Sequence, residues 1–276
     1  MTRVAAIQMA SGPNVSANLT EAERWISQAA EAGASLIVLP ENFAIIGMKE
    51  EDKVNVKEEE GSGPIQDFLK AQSIKYKVWI VAGTIPLAAS DEQRIRAACL
   101  IYNDQGEQVA RYDKVHLFDV HVPNTDETYN ESETIEPGSQ AVVIDTPFGK
   151  LGLAICYDLR FPELFRRMVD DGVEIFALPS AFTAITGAAH WESLIRSRAI
   201  ENLSYLIASA QGGYHVNGRE TYGDSMVVDP WGNILDRLSR GSGFVMAEID
   251  RNKVINTRQN FPALNHRKIP CTVTEA

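Results

Sequence analysis

"AVVIDTPFGKLGLAICYDLRFPEL", residues Ala141 to Leu164, decides the fold. Its first part reads as two apolar runs joined at Pro147–Gly149, the signature of a β-hairpin. The second run ends at Cys156, and Pro162 then opens a helix, where a fixed φ and a missing N–H cost least. One strand therefore pairs locally through a hairpin and also feeds a helical crossover. That combination predicts a mixed sheet with helices on its outer face.

The rest of the chain repeats the theme. Val4–Met9 reads as a strand. Leu19, Ala22, Ile26, Ala29 and Ala30 mark one helix face, with Thr20 and Glu23 read as its capping box and Gly33 as its stop. "SLIVLPENF" is a buried strand ending at Pro40, Ile65–Tyr76 a helix, and "VWIVAGTIP" a strand ending at Pro86. Hairpins are expected to turn at Asp104–Gly106 and Pro230–Gly232. "EIFALPSAF" and "SYLIASAQGG" read as strands flanking a helix over His190–Leu203, and "GFVMAEID" as the last strand. Nearly continuous apolar strands imply sheets covered on both faces. The fold class is thus α/β: one domain over residues 1–276, a four-layer α-β-β-α sandwich of two stacked mixed sheets. The last twenty or so residues read as an extension or an oligomer contact.

Composition narrows the function. The 276 residues carry 26 Lys+Arg against 37 Asp+Glu, a formal charge of −11, with no basic run. Nucleic acid and anionic membrane are poor partners for such a surface. The N-terminal "MTRVAAIQMA" is interrupted by Gln8 and reads as a strand rather than a signal peptide. Cys99, Cys156 and Cys271 fit neither a disulfide framework nor a zinc pattern, which points to a reducing, cytoplasmic setting. Cys99 reads as core and Cys271 as exposed. Two long polar stretches, Gly47–Gly63 and Asp119–Gly138, have the length of lids or binding loops.

Three strand ends carry useful chemistry: Glu41 after "IVLP", Lys114 after "ARYD" and Cys156 after "GLAI". A carboxylate base, an ammonium and a thiol are enough to hydrolyse an amide through a thioester, and the Tyr157 backbone N–H follows the nucleophile as a second oxyanion donor. Each residue also has a plain reading: a buried core thiol, a solvated loop acid, a surface lysine. Spacing alone does not bring them together.

The motifs "LPENF", "YDKVHLFDV", "CYDLRFPEL" and "AHWESLIRSRAIEN" together resemble the nitrilase superfamily of carbon–nitrogen hydrolases, over nearly the whole chain. The resemblance implies the α-β-β-α sandwich, a homodimer or higher homo-oligomer, and a small-molecule amide as substrate. By the matching motif positions, it implies Glu41 as general base, Lys114 as oxyanion stabiliser, Cys156 as nucleophile and Glu131 of "YNESETIEPG" as a supporting glutamate that orients Lys114. "PSAFTAITGAAHWE" and "YGDSMVVDPWG" look most like the Nit branch, whose activity is hydrolysis of deaminated glutathione to 2-oxoglutarate and cysteinylglycine. The ω-amidases, acting on 2-oxoglutaramate and tending to carry Gly where this chain has Ser180, are the alternative. Carbamoyl or nitrile substrates, or a silent binding protein, lie further off. The branch often has His where this chain has Asp224, which affects leaving-group preference if that position faces the pocket.

A 2-oxo acid substrate carries a carboxylate, and Arg160, four residues after Cys156, is the first candidate to bind it. An internal pair with Glu163 is the competing reading. Phe182 and Thr183 follow a strand end and either line the acyl pocket or serve loop packing. Arg198 and Glu201, three apart on a helix, read as a structural pair. Asp158 reads as a cap or supporting group. The chemistry calls for no cofactor and no metal, and His116, Asp119 and His121 fit no standard zinc spacing.

Overall fold

The period-2 alternation of the strands sorts the core into two layers. The structure is a computed structural model that describes residues 1–123 and 125–269. Its first sheet contains β1 (Thr2–Gln8), β2 (Leu36–Val38), β3 (Trp79–Val81), β4 (Ile85–Ala88), β5 (Ile95–Tyr102) and β6 (Gln108–Asp113). A hairpin of β7 (Asp119–His121) and β8 (Thr128–Asn130) follows. The second sheet contains β9 (Val143–Thr146), β10 (Gly149–Leu153), β11 (Ile175–Ser180), β12 (Tyr205–Ala210), β15 (Ser225–Val228) and β16 (Ile234–Leu238). Between β12 and β15 lies a separate hairpin, β13 (Gly212–Tyr214) and β14 (Glu220–Tyr222), and β17 (Gly243–Ile249) returns to the first sheet. The helices are α1 (Val15–Glu31), α2 (Asp52–Asn55), α3 (Pro64–Tyr76), α4 (Pro162–Asp170), α5 (Ala184–Asn202) and α6 (Arg251–Asn260).

The strand orders are β17-β1-β2-β3-β5-β4, with β6 on β5, and β16-β15-β12-β11-β10-β9. Parallel pairs at β1–β2–β3 and β10–β11–β12 join antiparallel hairpins at the edges, so both sheets are mixed. In the first sheet Val4, Ala6, Leu36, Val38, Val81 and Ile101 pack inward against the second sheet. Their neighbours Ala5, Ile7, Ile37, Ile80 and Leu100 pack outward, with Ala22, Ile26 and Ala29 of α1 and Leu69 of α3. Successive side chains of a strand point to opposite faces, so a strand apolar at every position needs cover on both. On the far side, Phe165 of α4 meets Phe176 of β11 edge-on at 5.0 Å, and Trp191 of α5 is fully buried. The layers run α-β-β-α, as the sequence predicts.

Element limits differ where local signals misled. Helix α1 starts five residues before Thr20, capped by Asn14, whose Oδ1 accepts the Ala17 N–H at 3.0 Å; Thr20 lies inside the helix, its hydroxyl on Ser16 O. The "VWIVAGTIP" run splits into β3 and β4. At Gly83 (φ +57) an added Cβ would sit 2.1 Å from Pro40 O, so only glycine lets the two chains approach there. Helix α5 begins at Ala184 rather than His190, with Thr183 as its N-cap. The C-terminal segment is fastened to the body: Arg258 of α6 donates to Val173 O, Leu203 O and the Ser204 hydroxyl. Cys99 is fully buried, and Cys271 lies outside the described residues.

Candidate active site

Four residues far apart in sequence meet at the ends of strands. Glu41 follows β2, Lys114 follows β6, Glu131 opens the turn after β8 and Cys156 follows β10. Lys114 Nζ lies 2.8 Å from Glu41 Oε1, and 3.0 and 2.8 Å from the two oxygens of Glu131. Glu131 Oε2 also accepts the Phe118 N–H at 2.8 Å. Cys156 sits at φ +45°, the left-handed turn of a strand-to-helix elbow, and is 8% exposed. Asn42, next to Glu41, is also left-handed, and its N–H is held by the Thr84 hydroxyl at 2.8 Å. Gln211 Nε2 donates to Glu41 O at 3.0 Å. The Glu41 backbone is therefore fixed from both sides.

Burial and charge set the protonation pattern. Burial is the main force pushing the Cys156 thiol up, and the charge of Glu41 adds to it; Lys114 and the Ala181 backbone N–H pull the other way without prevailing. Burial alone would lower the Lys114 ammonium, but the charges of Glu131 and Glu41 hold it well above the ordinary lysine range. Burial would raise Glu131, yet Lys114, Lys53 and the Phe118 N–H keep it low. The resting site thus contains the Cys156 thiol, the Lys114 ammonium and the Glu131 carboxylate. A thiol in this state attacks a carbonyl only if a neighbouring base takes its proton, and Glu41 is the carboxylate that bears on it most strongly.

Asp158 ties the two sheets together at this point. Tyr112, in β6, and His116, beyond its end, flank Lys114. Asp158, fully buried, accepts from the Tyr112 hydroxyl (2.7 Å), the His116 N–H (3.1 Å), His116 Nδ1 (2.6 Å) and the Ile155 N–H (2.8 Å). It thereby clamps both flanks of Lys114 to the turn carrying Cys156. His116 also stacks on Phe161 at 3.7 Å. Asp158→Asn removes an acceptor from a set of donors that leaves no room for an amide N–H. The expected cost is about 2–3 kcal/mol of stability, read by urea denaturation, with a matching loss of kcat. Stability within about 0.5 kcal/mol of the wild type would show that Asp158 does not hold this junction.

The site opens into a narrow cleft. Its floor is Glu41, Glu131 and Cys156, and its walls include Tyr157, Arg160, Phe182 and Thr183. Arg160 donates to His190 Nδ1 at 3.2 Å and lies over the rings of Tyr157 and Phe182, at 5.9 and 5.2 Å. Phe182 packs on Trp191 at 4.9 Å, and Thr183 Oγ1 accepts the Thr186 N–H, so both line the cleft while holding α5. Phe118, Ala181, Thr186 and Arg219 also line it. None of these four has a signal in the sequence: Phe118, Ala181 and Arg219 arrive from loops, and Thr186 from the first turn of α5, which the sequence reading placed outside the helix.

Other positions lie elsewhere. Asp224 is outside the lining; its carboxylate takes the Arg237 fork at 2.5 and 2.7 Å, and its backbone O accepts the Trp191 indole N–H at 2.8 Å. It supports α5 from outside the cleft. Ser180 is buried behind the wall. His121 meets the Thr128 hydroxyl, and Asp119 accepts the Ser132 N–H. Arg198 pairs with Glu201 at 3.0 Å. Within the long stretch 47–63, Lys53 of α2 is buried and pairs with Glu50 at 2.6 Å.

Comparison with known proteins agrees with this geometry. A protein from Synechocystis sp. called deaminated glutathione amidase is 43% identical over 270 residues, covering 95% of this chain and 97% of its own. One of the same name from Yersinia enterocolitica is 38% identical, covering 96% and 92%. The crystal structure of Saccharomyces cerevisiae Nit3, described as a member of branch 10 of the nitrilase superfamily, superposes with a TM-score of 0.84 at 33% identity, over 95% of this chain and 94% of that one. Residues 3–259 match the carbon–nitrogen hydrolase family model. With the fold, the elbow and the match all spanning the same length, the chain belongs to the carbon–nitrogen hydrolase family.

Proposed function

We propose that the protein is an amidase that hydrolyses deaminated glutathione to 2-oxoglutarate and cysteinylglycine through a thioester on Cys156. The observation that carries this reading is the buried Lys114 ammonium bonded at once to Glu41 and Glu131 beside the Cys156 elbow. Glu41 takes the thiol proton as Sγ attacks the amide carbon. The carbonyl oxygen becomes an oxyanion that Lys114 and the Tyr157 N–H stabilise, while Glu131 holds Lys114 in place. The intermediate collapses, the C–N bond breaks, and the amine leaves with the proton from Glu41. Water then gives a proton to Glu41 and attacks the thioester, and the carbon–sulfur bond breaks to release the acid and restore the thiol. Arg160 binds the acyl carboxylate, and Phe182 and Thr183 wall the acyl chain. The names of the relatives at 38–43% identity support the substrate. A homodimer in a reducing, cytoplasmic setting fits the family resemblance and the free thiol the mechanism requires.

The expected result is a kcat/KM for deaminated glutathione more than about 100-fold above that for 2-oxoglutaramate, roughly 2.7 kcal/mol in transition-state binding. Steady-state release of cysteinylglycine and of ammonia measures the two. The reverse preference would make the protein an ω-amidase, and no release from either would exclude both substrates.

A further inference from the structure

Arg219 brings to the cleft a donor that the protein itself does not use. It ends the loop that joins β13 to β14 and lines the cleft. Its Nη2 donates to Ala181 O at 2.6 Å, and its guanidinium carbon lies 5.1 Å from the centre of the Tyr129 ring, so the fork is fixed on two sides. Its Nε is buried and has no hydrogen-bond partner among the described residues. A buried guanidinium N–H costs free energy until an acceptor arrives, and the planar fork matches a carboxylate best.

The anchorage of the hairpin shows which end of a substrate this carboxylate belongs to. Gln211, just before β13, bonds to Glu41 O at 3.0 Å. His215 Nδ1 bonds to Ser11 O at 2.8 Å, and Asn217 donates to Gly47 O at 2.8 Å. The hairpin is thus tied to the segment that carries Glu41, and the Tyr222 N–H, on Phe182 O at 2.9 Å, ties its other strand to the segment after β11. Arg160 reaches the cleft out of the Cys156 turn, against His190 of α5 and over the Phe182 ring. In hydrolysis through Cys156 the leaving nitrogen must face the acid that protonates it, which is Glu41. The leaving group therefore extends toward the hairpin.

We propose that Arg219 binds a carboxylate on the leaving amine, so that the site is built for amides of an anionic amino acid or short peptide. The proposal rests on the amidase reading above for the direction of the leaving group. Arg160 and Arg219 then divide the two ends of a dianionic substrate between them.

The test uses two substrates with the same 2-oxoglutaryl group: deaminated glutathione and its form with the terminal glycine as carboxamide. The wild type is expected to prefer the carboxylate form in kcat/KM by at least about 10-fold, as for a charge-assisted hydrogen bond. In Arg219→Gln the preference falls to within about 3-fold of unity, mainly through KM for the carboxylate form. A purely structural disturbance of the hairpin lowers both rates and leaves their ratio alone. An unchanged ratio in Arg219→Gln overturns the proposal, as does a wild type that hydrolyses both forms equally. A wild type that hydrolyses neither form overturns the amidase reading as well, and is told apart by loss of turnover rather than of preference.

Discussion

Cys156→Ala is expected to lower kcat for deaminated glutathione by at least about 10⁴-fold while leaving the protein folded. In the proposed mechanism Sγ forms and breaks the covalent bond, so its loss removes the pathway rather than weakening one contact. Burial and the nearby Glu41 charge keep the thiol protonated at rest. Neither Lys114, tied to two carboxylates, nor Glu41 can substitute as a nucleophile without breaking the ion-pair cluster. The fold survives because alanine meets the same left-handed strain as cysteine at φ +45° and leaves only a small void. Cysteinylglycine release and far-UV circular dichroism check the two halves. Mass spectrometry of the wild type quenched during turnover should reveal an acyl adduct on Cys156. Residual turnover above about one hundredth of wild type would falsify the covalent mechanism.

Lys114→Met is expected to damage both activity and stability. The side chain is fully buried and bridges Glu41 and Glu131, themselves little exposed. Removing the ammonium leaves two carboxylates facing each other away from water. Breaking a buried ion pair from one side costs about 3–5 kcal/mol, because the remaining charge is uncompensated. Methionine keeps the volume, so the loss reports charge rather than a cavity. In the proposed mechanism catalysis loses an oxyanion donor, and a fall in kcat of about 10²–10³-fold or more is expected. Thermal and urea unfolding read the first effect and kcat the second. The destabilisation should shrink at low pH, where protonation relieves the carboxylates. A variant as stable as the wild type at neutral pH would mean that the cluster is not closed in solution.

Much of this was legible in the sequence. The hairpin at Pro147–Gly149, helix α4 from Pro162 to Asp170, and the buried strand β11 follow from turn residues, a proline and an apolar run. Those signals act over a few residues, where backbone sterics dominate. The misreadings were local conflicts decided from elsewhere. Thr20 and Glu23 satisfy a capping pattern, but Asn14 lies nearer the true start, where its Oδ1 caps Ala17 and the helix still packs Ala22 and Ile26. "TAITGAA" has weak helix propensity, yet α5 runs through it: Thr183 caps it, and Gly187 lies where an added Cβ would meet Tyr222 at 2.3 Å.

The sequence by itself determined most strands of the two main sheets, their two-faced burial, and the placing of Glu41, Lys114 and Cys156 at strand ends, because alternation and turn chemistry are encoded within a dozen residues; the short β7–β8 and β13–β14 hairpins, too polar to show alternation, were not legible. Only the tertiary structure decided that Lys114 binds Glu41 and Glu131, 73 and 17 residues away, that Asp158 clamps their supports, that Asp224 turns to Arg237, and that Arg219 enters the cleft. Those contacts depend on how two sheets stack and where loops cross them. Their energies come from desolvated charges brought together by packing, and no local pattern along the chain records them.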